Sequence, residues 1–350
     1  MQEKIEIYNI NYNYLGSIKG KVYIIPSDKE KGFNLGYSLF IPEGCNKDAT
    51  LLVNACNTGG FRTSNGKLDT TKSAIHLDEG LESAKISSID LNLGMELGKM
   101  LKFPVLTPLI PRVRGYYTHA LSSMVYHNDV SYLIEDNKER EGSIKLSNEE
   151  IRKIKDKCFD LPFQLVNIIE DSKKILLNMG IKIDDKVIIE GYSAGSKFAN
   201  RFTALYPNII KACIGGGTNG INILPVKEMS DNKLNFPLGV NDIQKFNADE
   251  FKLVPQYYFI GNKDFNDPAK MYNGEAVYKD AYTKEEATLI NKLFGYDVQE
   301  RFDNVKNMYK KMGINAKFEK FNGDHNLLID NNSNFIVTQN IIDFIIDVTK

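Results

Sequence analysis

The chain has 350 residues, with 44 basic and 45 acidic side chains, a formal net charge of −1 and 42% hydrophobic residues. This composition is typical of a globular protein with a large core, and the balanced charge disfavours nucleic-acid binding as the main task. The four cysteines form no C-x-x-C pair, which disfavours a zinc site and a disulfide framework and suits a reducing compartment.

The sequence predicts no membrane span, because no stretch approaches the roughly 18 apolar residues that a spanning helix needs. Its first residues alternate charged and apolar side chains and lack the apolar core of a signal peptide. We therefore expect a cytoplasmic protein, although the sequence is also compatible with a leader that has been removed.

The first third of the chain is predicted to be rich in strands. Alternating or continuous apolar runs cover Lys4–Tyr12, Lys21–Pro26, Gly36–Pro42, Thr50–Ala55 and Phe103–Ile110. The first runs have an antiparallel character that fits one edge of a sheet. Helical spacing is found around Ile89–Leu101.

A long helical region is predicted to begin at Ser147, because Ser147 and Glu150 have the spacing of a capping box. Pro162 should break or kink this region, and Gly180 is well placed to end it.

Strands and helices alternate regularly in the second half of the chain, which predicts a mostly parallel sheet. The predicted elements are the strands Lys186–Glu190, Ile210–Ile214, Gln256–Ile260 and Ala316–Phe321, and the helices Ala194–Tyr206, one opening at Thr283, Val298–Met312 and Phe335–Val348. We expect a single α/β domain over residues 1–350, with cap-like insertions at 111–146 and 218–254.

The segment Gly191-Tyr192-Ser193-Ala194-Gly195 is the only G-x-S-x-G in the chain. A buried strand runs into it and an amphipathic helix runs out, as in a nucleophile elbow. Such a turn holds the hydroxyl of Ser193 above the sheet, and the N–H of Ala194 can donate to an oxyanion. The alternative interpretation is an ordinary strand-to-helix turn.

A nucleophilic serine needs a base and an orienting carboxylate, and in this arrangement they follow the serine in the order acid, then histidine. His325 is the only histidine after Ser193. Asp264 and Asp267 both follow the strand before it. We favour Asp264, which is closer to the strand end, while Asp267 before a proline is also readily interpreted as a turn residue or a helix cap.

Two further features of the site are predicted from position alone. The loop after the strand near Ala55 has the place of the second oxyanion donor, through the backbone N–H of Asn57 or Thr58. A glycine turn without a catalytic task is the alternative. A substrate pocket is the other feature. Its candidate lining residues are Tyr116, Tyr117, His119 and Tyr192. For the residues in the 111–146 segment, packing of a surface loop is an equal alternative.

The three ordered segments Gly191–Gly195, Gly261–Asp264 and His325 resemble the α/β-hydrolase superfamily, above all bacterial serine esterases related to polyester depolymerases and feruloyl esterases. The resemblance implies an α/β-hydrolase fold, with a mostly parallel central sheet covered by helices on both faces. The chain departs from the lipase pattern, since it lacks the His-Gly motif and has Ser196 where glycine or alanine is usual.

By this resemblance, the protein is expected to be a serine hydrolase, in particular a carboxylesterase that acts through an acyl-enzyme. It would need no metal or organic cofactor, and its partner would be a small-molecule ester. An acyltransferase, a lactonase or a peptidase would use the same triad. The fold also serves non-catalytic binding proteins, which usually lack a member of the triad.

Overall fold

The computed structural model describes residues 4–13, 17–55, 61–62, 68–69, 74, 76–113, 147–277, 282–325 and 331–350. The described residues up to Asp185 form one compact unit, and those from Lys186 onward form a second. The predicted single domain with insertions at 111–146 and 218–254 stays a prediction. No helix among the described residues is long and apolar enough to cross a membrane.

Five of the nine described strands of the first unit form its main sheet. Its strands are β1 (Glu6–Asn13), β2 (Ser17–Ile25), β3 (Tyr37–Pro42), β4 (Asp48–Ala49), β5 (Leu52–Asn54), β6 (Phe61–Arg62), β7 (Leu68–Asp69), β8 (Val105–Pro108) and β9 (Lys182–Ile183). The sheet order here is β1-β2-β3-β8-β5, in which β1, β2, β3 and β8 pair antiparallel and β8 pairs parallel with β5. The predicted strands at the start of the chain, and their antiparallel character, are confirmed.

The helices of the first unit are α1 (Leu77–Ile89), α2 (Leu93–Leu101), α3 (Asn148–Cys158) and α4 (Leu161–Asn178). The sequence did not predict α1, in whose buried face small residues (Gly80, Ser83 and Ser88) interrupt the apolar ones. The next helix begins later than predicted because the side chain of Asn92 accepts a hydrogen bond from the N–H of Met95 and caps it.

The predicted long helical region is two helices, α3 and α4. The hydroxyl of Ser147 accepts a hydrogen bond of 3.1 Å from the N–H of Glu150 and caps α3. Pro162 lies in the first turn of α4, where its missing N–H costs no helical hydrogen bond. Gly180 has a φ of 80°, a conformation that favours glycine, and follows the end of that helix.

Four parallel strands form the sheet of the second unit, in the order β10-β11-β14-β17. The strands of this unit are β10 (Val187–Tyr192), β11 (Ile210–Gly216), β12 (Glu228–Met229), β13 (Asn232–Lys233), β14 (Gln256–Gly261), β15 (Met271–Tyr272), β16 (Glu275–Ala276) and β17 (Ala316–Phe321). Its helices are α5 (Ala194–Leu205), α6 (Ala248–Leu253), α7 (Lys284–Leu293), α8 (Val298–Lys311) and α9 (Asn331–Thr349), with a 3₁₀ turn at Pro207–Ile209.

Helices cover this parallel sheet on both faces. Successive strand residues point to opposite faces, and in β14 the ring of Tyr257 lies 5.4 Å from that of Phe344 in α9. The next ring, Tyr258, lies 6.1 Å from that of Tyr309 in α8. These features confirm the predicted fold class, the α/β-hydrolase fold.

Asn200 joins the helix behind the nucleophile turn to the core. Its side-chain N–H₂ donates to the hydroxyls of Tyr258 (2.7 Å) and Tyr309 (3.1 Å), and its carbonyl oxygen accepts from the N–H of Ile223 at 2.8 Å. All of these groups are buried, so without the side chain of Asn200 each would lose a hydrogen bond that water could not replace.

We expect Asn200→Ala to lower the free energy of unfolding by about 2–4 kcal/mol, because it leaves the buried N–H of Ile223 without a partner and removes one hydrogen bond from each of two buried tyrosine hydroxyls. Urea denaturation monitored by circular dichroism measures this change. Asn241→Ala is the control, since it removes a side-chain hydrogen bond at an exposed site and should change stability by about 0.5 kcal/mol or less. Equal effects of the two substitutions would contradict the assignment of Asn200 to the core.

Candidate active site

Ser193 lies in the sharp turn between β10 and α5. Its backbone has φ 57° and ψ −120°, a strained conformation for a residue other than glycine. The N–H of Ser193 donates to the carbonyl oxygen of Gly216 at 2.8 Å and anchors the turn on β11. A Cβ on Gly191 would lie 2.2 Å from the carbonyl oxygen of Gly195, so the close approach of the two chain segments requires glycine. This geometry has the form of the predicted nucleophile elbow.

Ser196, which departs from the superfamily pattern, is accommodated within this turn. Its buried hydroxyl donates to the carbonyl oxygen of Ser193 at 2.6 Å. The side chain lies against Gly215, at which a Cβ would come within 3.2 Å of Cβ of Ser196. Glycine on β11 therefore leaves the space that the serine side chain occupies.

The imidazole of His325 lies between Ser193 and Asp264. Its Nε2 is 3.0 Å from Oγ of Ser193, and its Nδ1 is 2.7 Å from Oδ2 of Asp264. An ionised carboxylate can only accept, so this contact places the proton of the neutral ring on Nδ1 and leaves Nε2 as an acceptor facing the serine. Asp264 is fully buried, whereas 24% of the His325 side chain is exposed.

The carboxylate of Asp264 is fixed by contacts that the sequence did not reveal. Its second oxygen, Oδ1, accepts from the N–H of Asn266 at 2.9 Å. The side chain of Gln299 in α8 donates to the carbonyl oxygens of Asp264 (3.0 Å) and Gly261 (2.8 Å). Gln299 lies 35 positions from Asp264, and neither it nor Asn266 belongs to a recognisable motif.

The loop that carries His325 is bound to the loop that carries Asp264. The N–H of Asn262 donates to the carbonyl oxygen of Phe321 at 2.7 Å, and the N–H of Lys263 donates to that of Gly323 at 2.8 Å. A Cβ on Gly261 would lie 2.3 Å from the carbonyl oxygen of Gly323. The glycine at the end of β14 therefore permits the two loops to approach each other.

Tyr192, predicted as a pocket residue, contacts His325. Its side chain is buried, with 7% exposed, and its hydroxyl donates to the backbone carbonyl oxygen of His325 at 2.9 Å. Burial, reinforced by the nearby carboxylates of Asp264 and Asp324, raises the pKa of Tyr192 above its usual range. The hydroxyl therefore stays protonated and keeps its role as a donor.

Asp267, the alternative acid, is engaged elsewhere. It forms an ion pair with Arg301, whose side chain is fully buried, and its Oδ1 also accepts from the N–H of Ala269 at 2.9 Å. The structure thus places Asp264, and not Asp267, at the imidazole of His325.

The remaining predicted residues divide into two groups. Ala194 is the first residue of α5, so its N–H has no partner within that helix and is available to an anion. The other candidates for the oxyanion site and the pocket lie outside the described residues. They are Asn57, Thr58, Tyr116, Tyr117 and His119.

Comparison with known proteins gives structural similarity only. No protein-family model matches the chain, and no curated protein matches it. The structure is similar to that of poly(aspartic acid) hydrolase-1 from Sphingomonas sp. KT-1, with 14% identity, a TM-score of 0.48 and coverage of 98% of this chain and 99% of that one.

It is also similar to the LpqC poly(3-hydroxybutyrate) depolymerase from Bordetella parapertussis, with 13% identity, a TM-score of 0.44 and coverage of 87% and 83%. For the S-formylglutathione hydrolase from Agrobacterium tumefaciens the identity is 12%, the TM-score 0.42 and the coverage 97% and 98%. At such identities, the function proposed below rests on the geometry of the site.

Glu190 is a buried carboxyl group in β10, three residues before Ser193. One of its oxygens has no hydrogen-bond partner among the described residues. Burial raises its pKa to about 8, because the low-dielectric interior disfavours the charged form. Glu190 is therefore largely protonated in the folded protein at neutral pH, whereas it is ionised in the unfolded chain.

This difference should make stability fall as the pH rises. Above the pKa that Glu190 has in the unfolded chain, the protein must bind a proton at Glu190 in order to fold. The free-energy cost of this protonation grows with pH until the pH reaches the folded-state pKa of about 8. The cost amounts to roughly 3 kcal/mol between pH 5 and pH 7. Glu190→Gln removes the titration, so its stability relative to wild type should rise by that amount over this interval.

Urea denaturation of both proteins across this pH range measures the effect. The exposed Glu228→Gln is the matched control, and its stability should follow that of wild type at each pH. A constant difference between Glu190→Gln and wild type at all pH values would contradict the assignment.

Proposed function

We propose that the protein is a serine hydrolase that cleaves a carboxylic ester through an acyl-enzyme, with Ser193 as nucleophile, His325 as base and Asp264 as orienting acid. The observation that carries this proposal is the position of the His325 ring, with Nε2 3.0 Å from Oγ of Ser193 and Nδ1 2.7 Å from Oδ2 of Asp264. A hydroxyl, an imidazole and a carboxylate in this order are the components of an activated serine.

In the proposed first half-reaction, Oγ of Ser193 attacks the ester carbonyl carbon while Nε2 of His325 takes the hydroxyl proton. Asp264 stabilises the resulting imidazolium through Nδ1 and keeps the ring in place. The tetrahedral intermediate then collapses, and Nε2–H gives its proton to the leaving alcohol. Water repeats the sequence on the acyl-enzyme and restores Ser193.

The negative charge on the carbonyl oxygen needs donors that already point to it. The N–H of Ala194 supplies one of them in this proposal, because it stands at the positive end of α5 directly after the nucleophile. A backbone N–H of Asn57 or Thr58 is proposed as the second donor, on the basis of its place in the sequence.

Catalysis is preferred over ligand binding because the acid, the base and the nucleophile are all present and in contact. Non-catalytic proteins of this fold usually lack a member of the triad. Acyl transfer, lactone opening and peptide cleavage pass through the same acyl-enzyme, so they are alternative outcomes of a substrate panel. The proposed partner is a small-molecule ester, and the proposed location is the cytoplasm.

A fluorophosphonate should label wild type once and leave Ser193→Ala unlabelled, because only an activated serine reacts readily with this reagent. Intact-mass spectrometry measures the adduct.

Ser193→Ala and His325→Ala should each lower kcat for a 4-nitrophenyl ester by about a thousandfold or more. The control is thermal unfolding, which should be nearly unchanged. Full esterase activity of Ser193→Ala would rule out the proposed nucleophile.

Asp264→Asn should reduce kcat by about a hundredfold or more, since an amide cannot hold the imidazole in the same protonation state. Asp267→Asn is the matched comparison. It weakens the ion pair with Arg301 and should lower the melting temperature, while kcat of the folded enzyme stays within a few fold of wild type. The reverse pattern would reassign the acid to Asp267.

A further inference from the structure

The side chain of Asn266 reaches the same ring nitrogen as the nucleophile. Its Nδ2 lies 2.9 Å from Nε2 of His325, and Oγ of Ser193 lies 3.0 Å from that atom. Asp264, two residues earlier, contacts the other ring nitrogen. One short turn therefore contacts both nitrogens of the imidazole.

Hydrogen bonds hold the backbone of Asn266 on both sides, so the position from which its side chain extends is fixed. Its N–H donates to Oδ1 of Asp264 at 2.9 Å, and its carbonyl oxygen accepts from the side-chain N–H₂ of Asn219. Asn219 is fully buried, whereas Asn266 is exposed. The amide thus projects from an anchored turn to a place that a substrate can reach.

Neutral His325 has a single lone pair on Nε2, and Ser193 and Asn266 both approach it. During ester cleavage, the oxygen of the leaving alcohol must come within hydrogen-bond distance of Nε2 to receive a proton. The attacking water must later take the same place. The Nδ2 group of Asn266 already borders this place, so a small rotation of the amide would direct an N–H toward the entering or leaving oxygen.

We propose that Asn266 is a further catalytic residue, whose side-chain amide binds the oxygen that leaves or attacks the acyl carbon beside Nε2 of His325. This inference rests on the proposed ester hydrolysis. The amide donates a hydrogen bond and gives up no proton. In acylation the bond from Oγ of Ser193 to carbon forms, the bond to the alcohol oxygen breaks, and the Nε2 proton goes to that oxygen.

In deacylation, the oxygen of water bonds to the acyl carbon and one water proton goes to Nε2. The bond between the acyl carbon and Oγ of Ser193 then breaks, and Oγ takes that proton from Nε2. Asn266 stabilises negative charge on the alcohol oxygen in the first step and orients the water in the second. Its contribution should therefore grow as the leaving alcohol becomes a poorer leaving group.

The test compares esters that share one acyl group and differ in the alcohol. Asn266→Ala should lower kcat/KM for alkyl esters by about tenfold or more, and by less than about threefold for 4-nitrophenyl esters, whose leaving group needs little help. Asn266→Asp cannot donate and would repel the developing alkoxide, so it should lose at least as much on alkyl esters. Both variants keep the main-chain hydrogen bonds to Asp264 and Asn219.

Lys270→Ala is the matched control, since it removes an exposed side chain from the same connection after β14 and should leave the hydrolysis of both substrates unaffected. Fluorophosphonate labelling of Ser193 should proceed in Asn266→Ala at nearly the wild-type rate. Equal losses on alkyl and aryl esters, or no loss, would overturn the inference while Ser193→Ala still supports the hydrolase. If wild type hydrolyses no ester and is not labelled, the proposed function and this inference fall together.

Discussion

The parallel register of four strands is the constraint on which the candidate site depends. In the order β10-β11-β14-β17, Gly215 pairs with both Gly191 and Tyr258, and Gly261 pairs with Phe321. The strands consequently end at the same edge, from which Ser193, Asp264 and His325 extend. A slip of one residue would turn every side chain of a strand to the other face, and the contacts to the imidazole, which tolerate only a few tenths of an ångström, would be lost.

Two buried carboxyl groups in this unit differ in the hydrogen-bond donors that surround them. Asp264 is fully buried, yet it accepts hydrogen bonds from the His325 ring and from the N–H of Asn266. Glu190 is equally buried, but one of its oxygens has no such donor among the described residues, and burial raises its pKa. Donors that point at the carboxylate offset the cost of burying charge.

The sequence predicted the residues whose positions follow from a motif and from chain order. Ser193 stands in the only G-x-S-x-G, and His325 is the only histidine that follows it. Local sequence could favour Asp264 over Asp267 only by its distance from the strand end, because the ion pair between Asp267 and Arg301 joins residues that are far apart in the chain.

Gln299 and Asn266 could not be predicted for the same reason, since their partners are assembled by tertiary packing. The boundaries of the main strands and helices were largely predictable because their cores are apolar and their caps have recognisable residues. Helix α1 was missed because its buried face contains glycine and serine. A helix of this kind is stabilised by close backbone approach, and hydrophobic periodicity does not reveal such packing.

The turn from Asp264 to Asp267 connects the chemistry of the site to its exposed surface. Asp264 contacts His325, Phe265 is 72% exposed, and Asp267 is paired with Arg301. Gln299 also fixes Asp264 through its main-chain carbonyl oxygen. The exposed Asn266 is held by Asn219 and directly precedes Asp267, which is paired with Arg301. Gln299 and Arg301 both belong to α8, so one helix anchors this turn at Asp264 and at Asp267. In the proposed mechanism, the orienting acid and the residue that binds the leaving alcohol therefore share one turn and one supporting helix.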